Sequence, residues 1–168
     1  MQELITNKVA QSGLVTIDLE QYRPKGAQLV FDVKDYLLHG YVLQEKPFRD
    51  ALKNLDWQPY HEAHVGVFCS TDAIVPTWAY MLVGTYLKDV AQSVFFANGE
   101  QLTINLYQKA LEAIDFSAFE GKRMVIKGCG DQPIPAAAYL QVTLGLMPYA
   151  KSIMYGEPCS TVPVFKQK

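Results

Sequence analysis

From residue 64 onward the chain repeats one pattern: a short apolar run, a turn, then a segment of helix length. The runs lie at 65–69, 94–97, 124–126 and 153–155, with helical periodicity between them at about 78–91, 100–114 and 135–147. Short strands alternating with helices of this length build right-handed β-α-β crossovers, and hence a mostly parallel sheet. The local chemistry agrees. Residues 78–91 are apolar around most of the helix, and 100–114 set Ile104, Tyr107, Leu111 and Ile114 on one face. Pro135 suits the first position of the helix it precedes. Ser70-Thr71-Asp72 are good capping residues, so the helix after the first run is expected to begin near Asp72.

The first 63 residues are less regular. Leu14 to Glu20 alternates as a strand with one wet face does, and Arg23-Pro24-Lys25-Gly26 ends it in a turn. A second run at Gln28–Phe31 follows, then Asp32–Gly40, read as a short helix stopped by its glycine. Phe48, Ala51, Leu52 and Leu55 share one face of a helix over 46–56. The expected architecture is a single α/β domain over 1–168, with flanking helices and a flavodoxin-like or Rossmann-like strand order. Residues 1–63 would form an N-terminal β/α extension packing on a β-α-β-α-β-α-β core over 64–168. No repeat of fixed period, low-complexity segment or linker is read from the sequence.

Composition narrows the function. At 168 residues the chain can bury roughly 70% of its unfolded surface, so it needs no disulfide staples. Net charge is -2 and Lys122-Arg123 is the one adjacent basic pair, which gives no phosphate-tracking surface and argues against a nucleic-acid partner. No window approaches the roughly 18 apolar residues of a membrane span, and the start lacks a signal-peptide pattern. The expectation is a cytoplasmic protein without a membrane partner. In that compartment three cysteines point to packing, metal binding or thiol chemistry rather than to a disulfide framework.

Those cysteines all fall where strand-like runs give way to turns: Cys69 after Val65–Phe68, Cys129 after Met124–Gly128, and Cys159 after Ile153–Pro158. In an open parallel sheet the carboxyl ends of the strands share one edge, and ligands bind in the crevice there. Were the second strand at the sheet edge, the three cysteine-bearing strands would be consecutive. With strands roughly 4.8 Å apart and Zn–S bonds of about 2.3 Å, one ion could then be shared. Asp72, three residues beyond Cys69, is the first choice to complete the shell and Glu157 the second. His61 and His64 resemble a metal motif, but His64 is separated from Cys69 by a strand length on the order of 16 Å and belongs to the other end. Free cysteine is also a common small core residue. Gly128-Cys129-Gly130 lacks the third glycine of a dinucleotide fingerprint, and no phosphate loop is present.

Three long strings, Cys69-Ser-Thr-Asp-Ala-Ile-Val-Pro-Thr-Trp-Ala-Tyr-Met81, Ile126-Lys-Gly-Cys129 and Lys151-Ser-Ile-Met-Tyr-Gly-Glu-Pro-Cys-Ser-Thr-Val-Pro163, together with Asp32–Leu37 and Asp56-Trp57, carry a family resemblance. The chain resembles, over nearly its whole length, a bacterial family common in the Bacteroidetes, domain of unknown function 2480. Its members often lie beside genes for iron-sulfur cluster assembly, and the resemblance therefore implies an accessory role with iron-sulfur assembly proteins as partners. It supplies no catalytic residue. The sequence reading is a metal-binding protein in which Cys69, Cys129 and Cys159 hold zinc, iron or an iron-sulfur cluster, with Asp72 or Glu157 completing the shell. Two alternatives stand beside it: a thiolate enzyme or sulfur carrier using Cys69 or Cys159, and a partner-binding scaffold without chemistry.

Overall fold

A computed structural model describes residues 13–128 and 130–168. Along the chain the strands are β1 (Leu14–Asp18), β2 (Gln28–Asp32), β3 (Leu37–Leu38), β4 (Val42–Leu43), β5 (His64–Phe68), β6 (Ser93–Phe96), β7 (Arg123–Lys127), β8 (Ser152–Glu157) and β9 (Ser160–Lys166). The helices are α1 (Glu45–Asn54), α2 (Thr77–Leu87), α3 (Gly99–Leu111) and α4 (Ala136–Leu146). The fold is mixed α/β with mostly parallel strand pairing, as the alternation implies.

The chain divides into two compact units, one formed by residues 1–24 and 107–168, the other by 25–106. The first, called unit 1 below, holds a sheet of order β1-β7-β8-β9, parallel except for the β8–β9 hairpin. Unit 2 holds the parallel sheet β2-β5-β6 and the small hairpin β3-β4. The boundary falls inside α3. This corrects the strand order expected from sequence. β5 lies between β2 and β6 while β7 lies between β1 and β8, so the strand before Cys69 is not in the sheet of the strands before Cys129 and Cys159. The cause lies near the start of the chain, where β1 and β2 each supply a parallel neighbour, Ile17 opposite Ile126 and Phe31 opposite Val67.

The two units are copies of one plan, which overturns the reading that the chain lacks a repeat. From α1 onward the offset is 59 positions: His64–Phe68 recurs as Arg123–Lys127, Thr77–Leu87 as Ala136–Leu146, and Ser93 at the start of β6 as Ser152 at the start of β8. The same offset carries Phe48 and Leu52 of α1 onto Tyr107 and Leu111 in the last half of α3. β1 and β2 hold equivalent places outside that offset, 14 positions apart in the chain. Each ends in an aspartate, Asp18 or Asp32, whose carboxylate accepts the backbone N–H two residues on and so caps a 3-10 turn. Identical side chains are few and spaced, among them Asp72 and Asp131, Pro76 and Pro135, Ala79 and Ala138, Tyr80 and Tyr139, Val83 and Val142, Leu87 and Leu146, Ala91 and Ala150.

The alanine, valine and leucine identities on the two helices are the buried face. Ala79, Val83 and Leu87 recur every fourth residue on α2 and are fully buried, as are Ala138, Val142 and Leu146 on α4. Each leucine contributes about 1.5–3 kcal/mol on burial. Both helices begin just after a proline in extended conformation, which has no N–H to leave unpaired, and that fixes their start at Thr77 and Ala136. Asp72 is therefore not a cap, because the helix starts five residues later than its Ser-Thr-Asp string suggested. Two other elements escaped the sequence: Asp32–Gly40 is a 3-10 turn and the start of a tight hairpin rather than a helix, and β9 follows Cys159.

Candidate functional site

In unit 2 the segment between β5 and α2 forms the loop at the carboxyl end of the central strand. Cys69 is half-buried against the core, and its Sγ lies 3.3 Å from Thr71 Oγ1. The Ser70 N–H donates to Asp32 Oδ1 at 3.0 Å, which also accepts the Lys34 N–H at 3.0 Å. Burial pushes the Asp32 carboxyl up, but the hydrogen bonds from Ser70 and Lys34 and the Lys34 charge outweigh it, holding the group below the usual carboxylate range. The Tyr80 phenol is raised by burial and then by Cys69 and Asp32. Asp72 is exposed. With Tyr41, Val42 and Leu43 of the β3–β4 hairpin and Ala73, Ile74 and Pro76 of its own loop, it lines a crevice of about 460 Å³. Ile74 is 94% exposed and Tyr41 74%, unusual values for large apolar side chains.

In unit 1 the described residues of the equivalent loop have anchors of their own. Tyr139 donates to the Gly128 carbonyl at 3.1 Å, and a Cβ at Gly128 would run into that hydroxyl and Ile134. Arg23 grips Glu20 at 2.8 Å and donates to the Gln132 carbonyl at 2.9 Å and its Oε1 at 3.0 Å. Glu20 in turn lies against Gly130, where any side chain would strike its carboxylate. Glu157 Oε2 is 3.8 Å from Lys127 Nζ, which is 3.3 Å from Asp18 Oδ2, so the carboxylate proposed as a ligand already faces a cation. Cys159 is exposed in the β8–β9 turn. Beside α4, an apolar groove of about 430 Å³ is lined chiefly by Ile126, Ile134, Tyr139, Leu140, Met154 and Val164.

The sequence-derived set is thus distributed: Cys69 and Asp72 belong to unit 2, Cys159 and Glu157 to unit 1, and Cys129 lies outside the described residues. Among the described residues no group of three or more His, Cys, Asp or Glu side chains is arranged to hold a metal ion. Those residues alone do not fit a resident metal. His64 is buried at the start of β5 with both ring nitrogens engaged, Nδ1 with Ser93 Oγ at 2.7 Å and Nε2 with the Lys25 carbonyl at 2.9 Å, in keeping with a packing role. Sequence reasoning missed Tyr41 and Ile74, because a hairpin of two-residue strands carries no periodicity. It also missed the Glu20–Arg23 clamp, because Arg23 stands in a Pro- and Gly-containing turn string.

No helix among the described residues is long and apolar enough to cross a membrane. A family model described as protein of unknown function (DUF2480) matches residues 3–167. No curated protein matches the chain, and no solved structure does.

Proposed function

The chain belongs to the DUF2480 family of proteins of unknown function, and from its own residues we propose that it is a binding module that receives a segment of another protein at the carboxyl end of β5. The observation that carries this reading is the exposure of Ile74 and Tyr41 around the crevice that Asp72 borders. Exposed apolar anchors beside one carboxylate suit a segment with an apolar side chain to bury and a basic group to pair with Asp72. Crevices at the carboxyl ends of parallel strands are the usual ligand sites of such sheets. A photo-crosslinking amino acid at Ile74 should give a defined adduct in cells, lost on Asp72→Lys. The same adduct pattern from a probe at an unrelated exposed position would overturn the proposal.

A second reading is favoured by one feature of unit 1. β7 and β8 are adjacent and parallel; Cys159 and Glu157 lie at the carboxyl end of β8, and Cys129 is two residues past β7 in sequence. These residues would hold zinc, iron or an iron-sulfur cluster, the softness of the thiolates setting the preference. Metal and acid-labile sulfide analysis of anaerobically purified protein should show metal that Cys159→Ser removes. Equal content in wild type and variant would sink this reading.

A further inference from the structure

We propose that the outer edge of β6 is a self-association surface, where β6 of a second copy of this chain pairs antiparallel about a two-fold axis and joins the two unit 2 sheets into one. Among the described residues β6 has β5 on one side and no strand on the other. Its equivalent 59 positions on is not left so. In unit 1 β9 returns antiparallel along β8, from Ser160 opposite Glu157 to Lys166 opposite Ser152. The two strands are otherwise placed alike, with Ser93 opposite His64 and Ser152 opposite Arg123 in parallel pairs. Unit 2 has no room in the chain for a returning strand there, because Gly99 already opens α3 where unit 1 has its β8–β9 turn.

The missing strand is felt in the packing. Ile153 of β8 is fully buried with Phe165 opposite it on β9, and Phe165 packs onto the core of unit 1. The equivalent residue, Val94, is only partly buried at the margin of the unit 2 core. Tyr155, opposite Val162, is 47% exposed, whereas its equivalent Phe96 is 72% exposed. The backbone is open as well. Because the Ala97 N–H donates to the Val67 carbonyl at 3.1 Å, strand alternation turns the N–H and C=O of Val94 and Phe96 away from β5.

β6 itself has the chemistry of the strand that it lacks. Followed from its amino end, β9 sets Val162 opposite the aromatic Tyr155 and then Phe165 opposite the aliphatic Ile153. A second β6, followed in the same sense with its Phe95 facing Phe95 across the axis, sets Val94 opposite Phe96 and then Phe96 opposite Val94. Valine again meets an aromatic residue, and phenylalanine an aliphatic one. In that register each Val94–Phe96 pair exchanges both of its N–H···O bonds, so every backbone group turned outward on the strand is used. Phe95 against Phe95 adds an aromatic cross-strand pair. The axis brings no like charges together, since Ser93–Phe96 includes no charged side chain. The edge is also unguarded. β9, outermost in unit 1, carries Pro163, a register shift and Lys166, devices that blunt an open edge, whereas β6 has no proline and keeps an unbroken register with β5.

Light scattering coupled to size exclusion, on the full chain at micromolar concentration, should give twice 18.9 kDa. Val94→Pro deletes an outward N–H and spares the bonds to β5, so it should give a monomer with an unchanged circular dichroism spectrum. Phe96→Lys, at an exposed position, should do the same if the proline variant fails to fold. By hydrogen exchange, the Val94 amide of the wild-type dimer should exchange about tenfold or more slowly than that of Phe96→Lys. Asp72→Lys, which tests the crevice, should leave the dimer intact. A wild-type monomer, a dimer that survives either folded variant, a Val94 amide equally fast in both proteins, or loss of the dimer on Asp72→Lys would each overturn the proposal.

Discussion

Units 1 and 2 share a frame and differ in what fills it. On α2 and α4 the buried alanine, valine and leucine positions are the same residues, while the layers around them have diverged. In unit 2 Trp57 stacks on Tyr86 with ring centroids 5.2 Å apart and planes 11° from parallel. In unit 1 the corresponding pair is Phe116 and Gly145, and the ring sits so close that a Cβ on the glycine would come within 2.5 Å of it. The same place is filled once by two stacked rings and once by a ring against bare backbone. The helix-to-sheet contact tolerates little change because it sets the distance between layers. Peripheral positions tolerate compensating changes in size.

The carboxyl-end loops differ in their described anchors. Unit 2 ties its loop to Asp32 through one backbone N–H and keeps a thiol there; unit 1 substitutes Gly128 for that cysteine and clamps its loop with Glu20 and Arg23. Whatever binds one loop is not expected to bind the other. The proposed partner crevice is accordingly assigned to unit 2 alone.

The largest test of the shared frame is in the core. Leu87→Ala and Leu146→Ala should each cost about 2–5 kcal/mol, measured by denaturant unfolding, and costs that differ by more than that range would break the equivalence of the two helices. Next is the loop anchor. Asp32→Ala should lower stability by about 1 kcal/mol at neutral pH through loss of its cap. Because the folded carboxyl is held below its unfolded value, this contribution is full above the ordinary carboxylate pKa and is lost as pH falls, so wild type and variant should converge below about pH 4. A constant gap through that range would mean that the aspartate acts through shape rather than charge. The smallest effect belongs to Tyr107, buried in unit 1 where unit 2 has Phe48, its hydroxyl without a hydrogen-bond partner among the described residues. Tyr107→Phe should leave stability unchanged or raise it by up to about 1 kcal/mol, and a loss in thermal unfolding would reveal a water or ligand on that hydroxyl.

What was legible in the sequence was what periodicity encodes. The apolar runs before Cys69 and Cys129 are β5 and β7, and the helices between runs lie where their patterns put them. Pairing is another matter: nothing local in Val15–Ile17 or Leu29–Phe31 says which distant strand each will join. The duplication was hidden for a similar reason, since its identities fall at wide intervals while aromatic and aliphatic residues trade places between them. Ser70-Thr71-Asp72 misled because capping chemistry also serves loops, and Pro76 decides the helix start. That Cys69 and Cys159 follow strands could be read from sequence, but that those strands, β5 and β8, lie in separate sheets could not.

The interleaving of β1 carries a consequence for how the chain is made. Leu14 pairs with Arg123, so β1 waits for a partner synthesised after the whole of unit 2. Unit 2 can close while translation continues; unit 1 cannot. A ribosome that stalls before β7 therefore releases a chain in which β1 has no neighbour, and quality control should see this protein through β1 rather than through unit 2.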